Sequence, residues 1–113
     1  MIRVSNVVNL EDGRLRPQSS EFSDSREDGA MSVFVEDWVL AANETLESLL
    51  RRFPGSRMSW LYASEYQKEN QVVEAAPQDD FFPGHAVVRD RGGKRSAGTR
   101  TRLARASQWL DLD

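Results

Sequence analysis

The sequence predicts one α+β domain over residues 1–113: a small mixed or antiparallel sheet of about four short strands, packed with two or three helices. Three observations predict it. Short runs rich in β-branched and aromatic residues recur along the chain, in "MSVFV", "RMSWLYAS", "VVEAAP" and "HAVV". Between and after them, apolar residues return at spacings of three and four. No segment repeats at a period of about 20–50 residues, which removes a solenoid.

The first candidate element is a loop. Residues 11–30, "EDGRLRPQSSEFSDSREDGA", are dense in Ser, Asp, Glu, Gly and Arg, and only Leu15, Pro17 and Phe22 offer anchors. Loops longer than about 12–15 residues are usually functional or disordered. "MSVFV" (31–35) then reads as a strand with Val33 and Val35 on one face. "EDWVLAANETLESLLRRFPG" switches to helical spacing, with Trp38, Ala42, Leu46, Leu49, Leu50 and Phe53 as the apolar stripe. Pro54-Gly55 stops it, and Asn43 as a cap would divide it into a turn and a shorter helix.

"RMSWLYAS" is a strand centred on Trp60 to Tyr62; Ser64 then caps a short helix through Glu69, which Asn70 terminates. "VVEAAP" is a brief strand closed by Pro77, and "QDDFFPG" a loop that tucks Phe81 and Phe82 under the fold. "HAVV" (85–88) is the next strand. A basic, glycine-containing loop over 89–98 leads to a last helix, "GTRTRLARASQWLDL", with Leu103, Ala106 and Leu110 buried and Trp109 beside them.

Composition narrows the function classes. The 39% apolar and 29% charged residues suit a folded domain on the polar side, and no apolar run is long enough for a spanning helix. "MIRVSNVVNLEDGR" lacks the apolar core of a secretory signal. Without cysteine the chain has no disulfide, thiolate nucleophile or thiolate metal site. A cytoplasmic protein without cofactor or metal is the simplest expectation, with no membrane partner.

Charge is segregated. Arg89, Arg91, Lys94, Arg95, Arg100, Arg102 and Arg105 stand against the single acid Asp90, in a chain whose net charge is −3. A local basic patch on an acidic protein suits one particular anionic surface better than indiscriminate nucleic-acid binding. In "RDRGGKRSAGT", Gly92, Gly93 and Gly98 permit left-handed backbone whose N–H groups converge on an anion. A helix starting near Thr99 adds its free N–H groups, and Lys94, Arg95 and Arg100 add phosphate-pairing cations. The loop is not a Walker motif: Arg95 follows Gly93-Lys94 where Ser or Thr is needed, and Val88 occupies the first glycine position. Base stacking has no aromatic in this segment before Trp109. The plain alternative is a solvated loop and the outer face of an amphipathic helix.

His85, the only histidine, follows Pro83-Gly84 at the head of an apolar strand, and no Gly-x-Ser-x-Gly elbow supplies it with a nucleophile. The acid pairs at 27–28 and 79–80 lack the alternating oxygen ligands of a calcium loop. In extended chain Arg14 and Arg16 share a side, ahead of Ser19 and Ser20. With His85 and Lys94 they would line a cleft for an anionic substrate.

In "GRLRPQSSEFS", "MSVFVED", "LLRRFPG", "PGHAVV" and "RLARASQWL" the chain resembles a small family of bacterial proteins. Its members share a Leu-Arg-Pro-x-Ser-Ser loop ahead of Ser-Val, a Pro-x-His-Ala-x-Val strand and a final Leu-Ala-x-Ala-x-x-Trp helix. The likeness covers about the whole chain and transfers no activity, cofactor or catalytic residue. It implies a bacterial, intracellular accessory protein from a multi-gene system, and adds interest to Arg16, Ser20, Ser32 and His85 without assigning them roles.

Two functional expectations result. The first is a non-catalytic accessory protein that binds a macromolecule, most simply a protein, through the basic loop and last helix. Its candidate contacts are Arg91, Lys94, Arg95, Arg100 and Arg102. The second is a small enzyme or binding module for a phosphate-bearing nucleotide or nucleic acid, with Arg14, Arg16 and His85 in a cleft.

Overall fold

A computed structural model describes residues 2–9, 22, 31–76 and 83–110. Six strands form one sheet: β1 (Arg3–Asn9), β2 (Met31–Val35), β3 (Ser56–Tyr62), β4 (Gln71–Ala75), β5 (His85–Asp90) and β6 (Gln108–Trp109). Their order is β4-β5-β2-β1-β3-β6, and every neighbouring pair is antiparallel. Four short helices accompany them: α1 (Glu36–Ala41), α2 (Leu46–Leu50), α3 (Ala63–Lys68) and α4 (Ala97–Ala106).

The α+β class is as expected, while the strand and helix counts are higher. β1 escapes a reading by periodicity because it lies near the middle of the sheet and buries polar as well as apolar residues: Val4, Ser5 and Asn6 are all enclosed. β6 is two residues long and falls inside the stretch read as helix. α4 instead ends at Ala106, where Ser107 turns extended and its Oγ donates to Ala104 O at 2.8 Å. Leu110 N then donates to Met58 O, also at 2.8 Å, continuing the strand against β3.

Side chains alternate across the pleat, so the sheet feeds two cores. Met31, Val33 and Val35 of β2, Ala86 and Val88 of β5, and Leu61 of β3 pack with Tyr66 of α3 and Leu103 of α4. Phe34 and Met58, from the alternate positions, pack with Val39 of α1 and Leu46 and Leu49 of α2.

The long helix expected after β2 is divided. Asn43 adopts a left-handed conformation (φ 62°), and Thr45, rather than Asn43, caps the second piece. Thr45 Oγ1 accepts from Ser48 N while Ser48 Oγ accepts from Thr45 N, a reciprocal cap. With the register broken, α1 buries Val39, and its neighbours Trp38 and Leu40 reach solvent. Trp38 therefore does not join the buried stripe assigned to it. Asn70 (φ 59°) ends α3 as its residue type predicts. Among the described residues no helix is long and apolar enough to cross a membrane.

Candidate functional site

The basic segment begins where β5 runs out of pairing partners. Asp90, opposite Gln71 of β4, turns the chain: its Oδ2 accepts from Gly92 N at 2.8 Å and its carbonyl from Gly93 N at 3.0 Å. Gly93 supplies the positive φ (101°) this turn requires. Arg91 N donates to Asn70 O at 3.1 Å, tying the loop to the end of α3.

Arg95 is the centre of the arrangement, and it points inward. It is 1% exposed. Its Nε donates to Gln71 Oε1 at 2.9 Å, its Nη1 to Phe22 O at 3.1 Å and its Nη2 to Val88 O at 2.9 Å. A buried charge is costly unless hydrogen-bonded, and these three oxygens meet that need. Gln71 is oriented in turn, because its Nε2 donates to Asp90 Oδ1 at 2.7 Å and to Glu69 O at 2.8 Å. The nearby Tyr66 phenol is fully enclosed. Burial pushes its pKa well above the ordinary tyrosine value, and the Arg95 charge pulls it partly back.

From Arg95 the chain passes directly into α4. Ser96 caps it, its Oγ accepting from Thr99 N at 3.1 Å. Arg100 Nη1 donates back to Arg95 O at 3.3 Å. Arg102 Nε donates to Glu69 Oε1 at 2.7 Å across to the end of α3.

The predicted site residues thus divide. Arg91 and Lys94 are exposed on the loop, and Arg102 and Arg105 on the outer side of α4; Arg100 is half-buried. Among the described residues no ion pair engages Arg91, Lys94 or Arg105, whereas Glu69 neutralises Arg102. The expectation that Arg95 meets an anion at the surface is overturned: its guanidinium is consumed by the protein's own oxygens. The three-glycine cradle is corrected too. Gly93 has positive φ, but Gly92 does not and Gly98 lies within α4.

His85 lies elsewhere. It opens β5, pairs with Phe34 of β2, and packs on that ring at 5.2 Å between centroids. At about 3.4 Å per residue, the strand sets it roughly 17 Å from Asp90. Its side chain also faces the Phe34 side of the sheet, whereas Arg95 bonds to Gln71 beneath the α3–α4 side. His85 and the basic loop therefore share no pocket. Ser32 stands opposite Val87 in β2, and Arg14, Arg16, Ser19 and Ser20 fall outside the described residues.

Sequence reasoning passed over Gln71. It is 2% exposed and braces both Arg95 and Asp90. Its only signal is position: a polar residue at the head of a short strand, directly after a helix stop. Comparison with protein-family models, with curated proteins and with solved structures found no match.

Proposed function

We propose that this chain is a non-catalytic interaction module that docks on an acidic protein surface through Arg91, Lys94 and Arg105. The observation that supports this reading is the inward lock at Arg95. A basic loop hanging free in solvent would lose conformational entropy on binding. Here Arg95 fastens the middle of the loop to Phe22, Gln71 and Val88, so the cations flanking it are held out from a fixed base. The net charge of −3 leaves this patch as a local exception, which suits selection of one complementary partner through electrostatic steering. Read with the likeness to a bacterial family, the module serves as an accessory protein of a multi-gene system.

The test is partner capture followed by measured affinity. The full chain is used as bait in a bacterial lysate, and the captured protein is identified, purified and titrated against wild type and Lys94→Glu/Arg105→Glu. The double variant is expected to retain stability within about 0.5 kcal/mol, since both positions are exposed. It is expected to bind at least about tenfold more weakly, with the wild-type interaction weakening as salt rises. His85→Ala is expected to bind normally. Unchanged affinity of the charge-reversed variant, or preferential binding of duplex DNA over the captured protein, overturns the reading.

A further inference from the structure

Arg91 also borders a feature that partner docking does not use. α3 leaves a cleft of about 260 Å³ over the sheet. Val4 and Val35 lie buried on its floor, while Ile2 and Trp38, 44% and 41% exposed, stand at its rim. Three polar residues line the same cleft: the exposed Gln67 of α3, Arg91, and the buried Gln71, whose amide already bonds to Arg95, Asp90 and Glu69 O. The Arg91 backbone is fixed by its bond to Asn70 O, and among the described residues no ion pair engages the guanidinium.

We propose that this cleft binds a small amphipathic carboxylate. The apolar body lies against Ile2, Trp38 and the valine floor, and the carboxylate accepts hydrogen bonds from the Arg91 guanidinium and the Gln67 amide. Size favours a small molecule: about 260 Å³ sits at the small end of ligand pockets, which run from about 300 Å³ upward, whereas a protein partner covers about 800 Å² of each surface. Composition favours an amphipathic anion. A purely apolar ligand leaves the Arg91 cation unused, and a small hydrophilic anion leaves Trp38 and Ile2 in water, whereas an acyl or aryl carboxylate satisfies both.

The experiment titrates the ¹⁵N-labelled full chain with octanoate, octan-1-ol and acetate. Octanoate is expected to shift the Trp38 indole and the Gln67 and Val73 amides, with a Kd of about 1 mM or tighter. Octan-1-ol is expected to shift the same signals about tenfold more weakly, and acetate to leave the Trp38 indole unmoved. Arg91→Gln, a surface substitution whose fold the same spectra check, is expected to reduce octanoate affinity to that of octan-1-ol without changing the alcohol's own. Lys94→Glu/Arg105→Glu is expected to leave octanoate binding intact, which separates this site from partner docking. Equal affinity of acid and alcohol for wild type, insensitivity to Arg91→Gln, shifts remote from the cleft, or no shifts at all overturn the proposal.

Discussion

At its first residue β5 comes off the Pro83–Gly84 turn, and His85 is already enclosed beside Phe34, with Val35 N bonded to Gly84 O at 2.9 Å. At its last residue the same strand leaves through Asp90 into a loop where Arg91, Gly92, Gly93 and Lys94 are exposed and a single guanidinium is buried. Both ends hold a polar side chain inside the protein. At the first end the chain is closely packed: the His85 ring lies on Phe34, and a Cβ added at Gly84 would lie 2.9 Å from Val39 N. The second end holds its side chain by hydrogen bonding, through three oxygens around Arg95. The difference teaches where adaptable surface is found: packing leaves nothing free at the His85 end, while an internal anchor at the Arg95 end lets its neighbours face outward.

The largest effect is expected at the hydrogen-bonded end. Arg95→Met leaves Gln71 Oε1, Phe22 O and Val88 O without this donor, at about 1–3 kcal/mol for each buried group that finds no substitute. A total loss of about 3–5 kcal/mol is expected in urea unfolding, since several buried oxygens lose a charged donor together. A loss below about 1 kcal/mol, within the range of ordinary surface changes, would break the comparison, because the anchor would then be dispensable. Gly84→Ala tests the packed end. With φ +88° and the Val39 and Val35 backbones beside it, a methyl group is both strained and crowded. The expected loss is about 2–3 kcal/mol, again by urea unfolding. Wild-type stability for this variant would show that the turn yields and that close packing does not define this end.

The smallest effect has the opposite sign. Among the described residues the buried Tyr66 hydroxyl has no hydrogen-bond partner, so Tyr66→Phe is expected to stabilise by about 1 kcal/mol near neutral pH. Its pH dependence sharpens the point. The folded state holds the phenolic proton more tightly than the unfolded chain, whose ordinary pKa is 10.0. The wild type is therefore unaffected by this group below about pH 10 and loses stability as pH rises beyond it. In Tyr66→Phe that share of the alkaline loss is expected to disappear, as measured by thermal melts from pH 8 upward; an unchanged alkaline slope would contradict it.

Much of the framework is legible in the residues themselves. β2 and β5 follow from short β-branched runs, the end of α3 from Asn70, and the turn before His85 from Pro-Gly. β1 is hidden because Ser5 and Asn6 interrupt its apolar residues, and a strand with neighbours on both sides need not alternate cleanly. The site is less legible than the fold. Arg95 sits among glycines, serines and other cations, the composition of a solvated loop, and the oxygens of Phe22, Gln71 and Val88 help make an interior position tolerable. Those acceptors come from three separate parts of the chain, so no local pattern announces them. Trp38 shows the converse: a tryptophan at helical spacing reads as core until Asn43 breaks the helix and the adjacent Val39 takes the inward position.

The two margins of the sheet carry a consequence for self-association. Among the described residues, β6 lies along Ser59 and Trp60 of β3 as a two-residue strip on that side, whereas β4 closes the opposite side with five residues paired only to β5. Strand-to-strand growth into a ribbon requires two long open margins on every molecule. Among the described residues one margin, that of β4, has useful length, so pairing of copies along it is expected to end with the second molecule.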